Sequence, residues 1–385
     1  MNKLLLAFIL SVSVLLTFPT IANAQTSPCE SKRIAGDYNC DNKVDLLDFD
    51  SFRIDFVANN ASLIYFEYWR KALFGAKSGP GTSTPTPQSG SSKQQLITQT
   101  IAAVSKQKIS ETVSSLADDD DVPGVDATQT RYSNSGGNQI ERAYITAQLQ
   151  GMGYQVTTQS FSLGGVNSAN IIARLSGKNP SKYYVVSAHL DSTAALSGTN
   201  DPAPGADDNG SGTASVLETA RVLKSVGAQL SNSVEFVLFS GEEQGLYGSE
   251  YYTSRITDTS AVQGVFNMDM VGWNPASRGD CVQFGYLARN GGNILSDAAQ
   301  NIDRSNNIQL KADSVLTNIM ASDHGSFVRK GMKAILIAEC ELMEGGRGTV
   351  QPNYHSTRDK PDTLNYNQIE KTVKTVAGTI IDLAY

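Results

Sequence analysis

Acidic residues and histidines gather at a few points from residue 189 onward: His189-Leu-Asp191, Asp207-Asp208, Glu242-Glu243, Asp269 and Tyr354-His355-Ser356. Histidine with several carboxylates is a ligand set for Zn²⁺, and enough carboxylates allow two ions. Two ions roughly 3.5–4 Å apart need a carboxylate shared between them. The chain has only three histidines, His189, His324 and His355, so carboxylates must supply most of any such ligation. Asp191 lies two residues after His189 and is placed to accept the other N–H of that imidazole. Glu242 and Glu243 are neighbours. On an extended backbone they project to opposite sides, so one can ligate while the other faces a substrate. Surface charge accounts for any one of these acids, but not for the joint pattern.

The elements that must position these groups are short apolar runs. β-rich stretches cover residues 183–187, 234–239, 265–268 and 334–337. His189 and Asp191 follow the first, Glu242 and Glu243 the second, and Asp269 ends the third. Helical patterns lie between and after them. Val216, Leu217, Ala220 and Leu223 share one face, with Gly227 as a stop. Ile369, Val373, Val376, Ile380 and Leu383 form a second stripe near the C-terminus. Apolar strands alternating with amphipathic helices predict a three-layer α/β/α sandwich around a mixed, mainly parallel sheet. In such sheets chemistry gathers beyond the carboxyl ends of the strands. The 385 residues, 40% hydrophobic and 18% charged, allow one large domain and a small one. A net charge of −7 argues against nucleic acid or an anionic membrane surface as the main partner.

His189-Leu-Asp191, Gly205-Ala-Asp-Asp-Asn-Gly-Ser-Gly212, Gly241-Glu-Glu-Gln-Gly-Leu-Tyr-Gly-Ser249, Asn267-Met-Asp269-Met, Ser322-Asp-His-Gly-Ser-Phe327 and Tyr354-His355-Ser356 resemble the secreted bacterial leucyl-aminopeptidase type of co-catalytic zinc peptidase. The resemblance covers about residues 127–385, with the motifs in family order. It implies two Zn²⁺ ions bridged by Asp208, with His189 and Asp269 completing one site and Glu243 and His355 the other. It also implies Glu242 as the general base for a metal-bridging water, and Asp191 as the residue orienting His189. The family's preference for a free N-terminus implies an aminopeptidase acting on peptide or protein N-termini. A carboxypeptidase or glutaminyl cyclase of the same fold, or a non-catalytic binding protein, remain as alternatives. Ser322, Asp323 and His324 are the residue types of a serine-hydrolase triad, but three contiguous residues cannot converge in its geometry. His324 is therefore expected to line the site or to pack structurally. Some relatives place a cysteine-flanked Tyr where this chain has Ile319, which leaves oxyanion stabilisation more to the metals.

The first part of the chain reads differently. Lys3, an apolar stretch over residues 4–18 and Ala22-Asn-Ala24 predict an export signal cleaved after Ala24, and hence a secreted, extracellular protein. The stretch is too short and too polar for the roughly 20 apolar residues of a membrane span. Asp37, Asn39, Asp41, the Lys43 carbonyl, Asp45 and Asp48 match positions 1, 3, 5, 7, 9 and 12 of a calcium loop. Asn42 stands at the position that usually takes Gly and tolerates the left-handed backbone needed there. Leu46, Leu47, Phe49 and Phe52 recur as Leu63, Ile64, Phe66 and Trp69. This duplicated loop and helix resembles a dockerin over residues 34–75, which implies a cohesin-like or cell-surface partner. The second copy has Tyr65 in place of Asp48 and should not bind calcium. Residues 76–93 form a Pro/Gly/Ser/Thr linker, and residues 94–385 the enzyme-like domain. The Asp118–Asp121 run reads as solvated surface. Export permits disulfides, with Cys29–Cys40 and Cys281–Cys340 the economical pairing and buried free thiols the alternative.

Overall fold

The computed structural model describes residues 92–117, 130–275, 277–288, 290–340, 342 and 351–385. The export segment, the calcium loop and its repeat, residues 76–91 of the linker, Cys29 and Cys40, and the Asp118–Asp121 run lie outside the described residues.

Helices α1 (Lys93–Ala102), α2 (Lys106–Ala117) and α3 (Gly136–Gly151) lead into a hairpin of β1 (Val156–Leu163) and β2 (Val166–Leu175). Strands and helices then alternate through β3 (Asn179–His189), α4 (Gly212–Ser225), β4 (Asn232–Phe239), α5 (Tyr247–Ser254) and β5 (Val262–Met268). The chain closes with β6 (Val282–Tyr286), α6 (Asn293–Ser305), β7 (Ala312–Leu316), α7 (His324–Arg329), β8 (Ala334–Glu339) and α8 (Tyr366–Ala384). Helix α1 begins inside the stretch read as linker because Ser92 and Gln95 make a capping box there.

The eight strands form one sheet in the order β1-β2-β4-β3-β5-β8-β6-β7. β4, β3, β5 and β8 run parallel to one another at its centre. The pairs β1–β2, β2–β4 and β6–β8 are antiparallel. The sheet is therefore mixed and mainly parallel, as the alternating pattern predicts.

Burial on both faces explains why the central strands read as apolar runs. Val185, Val237 and Val265 pack on one side with Tyr252 of α5 and Phe327 of α7. Val186, Phe236, Leu238, Phe266 and Ile335 pack on the other side with the stripes of α4 and α8. Successive strand residues thus go to opposite layers, as the period of two requires. Each such buried side chain contributes about 1.5–3 kcal/mol. Helix α4 ends at a Val226 cap, followed by Gly227 at φ +63°, the left-handed conformation that favours Gly. Among the described residues no helix is long and apolar enough to cross a membrane.

Cys281, just before β6, and Cys340, just after β8, form a disulfide with Cα atoms 5.6 Å apart and 59 residues of separation. It staples two adjacent antiparallel strands beyond the end of the central sheet. Replacing both cysteines with Ala should lower unfolding free energy by about 2–4 kcal/mol, the usual effect of opening so long a loop. Urea denaturation without reductant measures this, and equal midpoints and slopes for the two proteins would refute it.

Candidate metal centre

Parallel pairing brings the polar strand ends to one edge. His189 is the last residue of β3 and pairs with Phe239, the last of β4. β5 lies on the other side of β3, in register from Val185–Val265 to Ser187–Asn267, and ends just before Asp269. His189, Glu242, Glu243 and Asp269 therefore emerge from three neighbouring strands on the same side of the sheet.

Asp208 comes from a turn, Ala206–Ser211, that leads into α4 and is kinked out of helical geometry at Asp208 and Asn209. Its Asp208–Asn209 peptide is cis. Asn209 fastens this turn to β5: its Nδ2 donates to the Met268 carbonyl at 2.9 Å, and its Oδ1 accepts from Gly212 N at 2.9 Å. Thr213 Oγ1 donates to the His189 carbonyl at 2.8 Å and ties the start of α4 to β3. Gly205 opens the turn at φ +54°, where a Cβ would lie 2.4 Å from the Asp208 carbonyl oxygen. Only glycine fits that approach.

The side chains meet in two groups that share Asp208. His189 Nε2 is 3.2 Å from Asp208 Oδ1 and 3.3 Å from Asp269 Oδ1. His355 Nε2 is 3.0 Å from Asp208 Oδ2 and 3.0 Å from Glu243 Oε2. Both sets, His189–Asp208–Asp269 and Asp208–Glu243–His355, have the spacing of a cation's ligands. Ligands about 2.1 Å from one tetrahedral ion lie about 3.4 Å from each other. The donor chemistry fits too. His189 Nδ1 lies 3.1 Å from the Asp191 carbonyl oxygen and must donate to it. In neutral imidazole that leaves the Nε2 lone pair aimed at two carboxylate oxygens, an arrangement that calls for a cation between them. Glu243 Oε1 is buried with no hydrogen-bond partner, which leaves an acceptor free on the same carboxylate. A third set, Cys281–Asp313–Cys340, is closed to a metal by the disulfide.

The electrostatics carry the same signature. Burial alone would depress the His355 pKa, but Asp208 and Glu243 outweigh it and push it up to about 10. Burial, reinforced by the Asp208 charge, pushes Glu243 up to about 8. Glu242 is raised well above the ordinary carboxylate value, first by burial and then by Glu243, Asp269 and Asp323, against the pull of His189. Negative charge is in surplus here.

The profile of peptidase family M28 matches residues 170–380, more than half of the chain. The chain belongs to peptidase family M28. It is 31% identical over 222 residues to a probable leucine aminopeptidase 1 of Trichophyton verrucosum. That match covers 56% of this chain and 58% of the fungal protein, so the chain spans little more than half of the relative's length. In fold it is similar to the zinc aminopeptidase BSAP from Bacillus subtilis, with a TM-score of 0.61, 16% identity, and coverage of 73% of this chain and 95% of that one. It is equally similar to a glutaminyl cyclase from Porphyromonas gingivalis, with a TM-score of 0.61, 17% identity and coverage of 73% and 99%.

Within this M28 chain two expectations change. The Asp191 carboxylate is 3.8 Å from His189 Nδ1, farther than the Asp191 carbonyl. It accepts instead from Ser133 Oγ at 3.0 Å, Glu242 N at 3.3 Å and Glu243 N at 3.2 Å. The carboxylate holds the glutamate turn, while the residue's backbone holds the imidazole. Glu242 and Glu243 also do not lie on an extended backbone. Gly241 turns the chain at φ +79°, and the Glu242 carbonyl accepts from Gly245 N and Leu246 N. The turn, rather than strand alternation, sets where the two side chains go.

Two residues of the quoted motifs take roles that the sequence did not assign. Ser322 Oγ donates to Asp269 Oδ2 at 2.6 Å and accepts from Asn267 Nδ2 at 2.9 Å, which leaves Asp269 Oδ1 toward His189. The Tyr354 ring stacks on His355 with centroids 3.6 Å apart. Burial and the charges of Asp208, Glu243, Asp269 and Glu242 raise its phenol far above the ordinary value, so it stays protonated. Tyr-His adjacency was visible, but an imidazole–phenol stack is not a sequence signal.

His324 joins neither cluster. It is fully buried, and its Nε2 donates to the Ile319 carbonyl at 2.9 Å. Of its two expected roles, structural packing is the one its position allows. Burial lowers its pKa to about 4, below the roughly 6.5 of an unfolded chain. Between those values the unfolded state binds the extra proton, so His324 contributes stability at neutral pH that is lost as pH falls from 6.5 toward 4. The loss is on the order of 3 kcal/mol at most. His324→Gln keeps the donor to Ile319 but cannot titrate. Its urea-unfolding free energy should fall less than wild type's between pH 7 and pH 4.5, by about 2 kcal/mol. Parallel pH profiles would count against a buried neutral imidazole.

Proposed function

We propose that this chain is a secreted two-zinc aminopeptidase that removes N-terminal residues from peptides. The observation that carries the reading is the pair of ligand sets meeting on Asp208. His189 and Asp269 would complete one site, and Glu243 and His355 the other. Two Zn²⁺ ions bound there would lower the pKa of a shared water and polarise the scissile carbonyl.

The rest is supplied by side chains of this chain. Glu242 lies beside the cluster, with a carboxyl whose proton affinity is raised by burial and by its acidic neighbours. It takes the attacking water's proton and returns it to the departing amine. Tyr354, held flat against His355, offers a phenolic O–H toward the developing oxyanion, the service that Ile319 cannot give. The Asp191 carboxylate fixes Glu242 through its backbone N–H. Arg131, a cation beside these loops, is 2% exposed and spends its guanidinium on the carbonyls of Leu190, Leu116, Pro204 and Gly205, so it is not available to bind a C-terminal carboxylate. Ahead of the enzyme, residues 34–75 would be a calcium-binding, dockerin-like attachment module, preceded by a cleaved export signal.

Glu242→Gln should keep both zinc ions and lose hydrolysis of aminoacyl p-nitroanilides by about 10²–10⁴-fold in kcat. Blocking the substrate's α-amine should abolish turnover by wild type. Undiminished turnover of either kind defeats the reading, and cyclisation of an N-terminal Gln without hydrolysis would point to the cyclase instead.

Tyr354→Phe keeps the stack and removes only the donor. It should lower kcat by about 10²-fold, with KM little changed. Steady-state kinetics on the same substrates decide this, and an unchanged kcat removes Tyr354 from the mechanism.

A further inference from the structure

Asn209 and Thr213 tie the turn of Asp208 to the strand ends. Its carboxylate must face not only His189 but also His355, which comes from a loop nearly 150 residues further on. A further set of contacts, made by that loop, holds the turn. Asp359, four residues after His355 and 1% exposed, takes the three successive backbone amides that end at Asp208. Its carbonyl accepts from Ala206 N at 3.0 Å. Its Oδ1 accepts from Asp207 N at 3.0 Å, and its Oδ2 from Asp208 N at 3.0 Å. Gln351 Nε2 donates to Oδ1 at 2.9 Å and holds the carboxylate in plane with them.

With their N–H groups committed to one carboxylate, residues 207 and 208 have little freedom left in where they send their side chains. Asp207 Oδ1 goes back to accept from Gly272 N at 2.8 Å, while Asp208 projects to the two imidazoles. The same device recurs across the site. Asp191, also fully buried, takes the successive amides of Glu242 and Glu243. In both places a buried aspartate grips an acidic dipeptide by its backbone, and the second residue of that dipeptide, Asp208 or Glu243, joins the cluster.

We infer that Asp359 is the positioning residue for Asp208: by binding the amides of residues 206–208 it locks the shared carboxylate to the loop that carries His355. It touches no substrate and no ligand atom of the cluster. An anion is required, because two amides and the Gln351 amide all donate to it. An Asn in its place would turn an NH₂ group toward one of these donors. The inference rests on the reading of Asp208 as a shared zinc ligand.

The test compares wild type, Asp359→Asn and Asp359→Glu, all loaded with zinc. Three quantities are measured: kcat and KM on an aminoacyl p-nitroanilide, the rate of zinc transfer to a chromogenic chelator, and Tm with and without zinc. Asp359→Asn should lose at least tenfold in kcat with KM within about twofold, and should release zinc about tenfold faster. Its chelator-stripped form should melt close to stripped wild type, so that the damage appears in the increment that zinc adds to Tm. Asp359→Glu keeps the charge but moves the carboxylate by one methylene. It should show the same pattern, and it decides the matter if the Asn variant does not fold. Wild-type kcat and zinc retention in the variants would overturn the inference. So would a fall in stripped-protein Tm as large as that of the loaded protein, because Asp359 would then be an ordinary structural anchor. Wild-type protein that holds no zinc would overturn the two-zinc reading itself, a result distinct from either.

Discussion

The two oxygens of Asp208 face two imidazoles, His189 at 3.2 Å and His355 at 3.0 Å, and the remainder of the site exists to make that possible. His189 is fixed early, as the final residue of a strand buried on both faces. His355 arrives on a loop after the last strand. The turn carrying Asp208 must therefore be held against both, to within a few tenths of an ångström. Asn209 binds it to the end of β5, Thr213 to the end of β3, Arg131 to the chain beside His189, and Asp359 to the loop of His355. Each of these contacts ends on a backbone group. The sheet supplies a rigid edge, and the turn is lashed to that edge by its main chain.

This arrangement gathers charge where water is scarce. Asp191, Asp207 and Asp208 are each no more than 5% exposed, and Asp269 only 9%. Burial and mutual repulsion drive Asp207 up to about 8. Burial also raises Asp323 to about 7, with Asp191 and Asp269 adding to the rise and His189 opposing it. A site of this kind cannot be understood as a set of neutral contacts. Concentrated negative charge costs folding free energy unless cations or shared protons offset it. Two divalent ions would offset most of it. The hydrophobic layers on both faces of the sheet supply the stability against which such a cluster can be assembled.

Much of this was legible because parallel strands announce themselves. A strand covered on both faces is an unbroken apolar run, so the first acid after it marks the strand's carboxyl end. His189, Glu242, Glu243 and Asp269 were all visible in that way, and the stripes of α4 and α8 gave the covering layers. The order of the strands was not legible, nor were β6 and β7, because pairing between distant segments leaves no local period. The backbone of the glutamate pair was misjudged, since a turn opened by Gly241 and not strand alternation separates the two side chains. Asp191 was recognised as a partner of His189, but it is the carbonyl that accepts from the imidazole, and the carboxylate's hold on the glutamate turn was not foreseen. Asp359 could not be found from spacing at all, and Ser322 was noticed without its role on Asp269. Each acts on a residue far away in the chain, through contacts that only the folded topology creates.

The two aspartate grips also explain why reading side chains alone went astray here. Chemistry is usually sought in what a side chain points toward, and in these two dipeptides Asp208 and Glu243 do point at the cluster. Their placement is decided on the opposite side of the backbone, where consecutive N–H groups converge on Asp359 and Asp191. Such a grip is indifferent to the identity of the residues it holds, but it demands a particular path of the main chain. Gly205 at φ +54° and Gly241 at φ +79° each stand just before the gripped pairs and provide that path. The glycine-plus-two-acids pattern that was read as a ligand motif is thus also a backbone motif. The acids make the site, and the glycine lets two amides turn toward a buried carboxylate behind it.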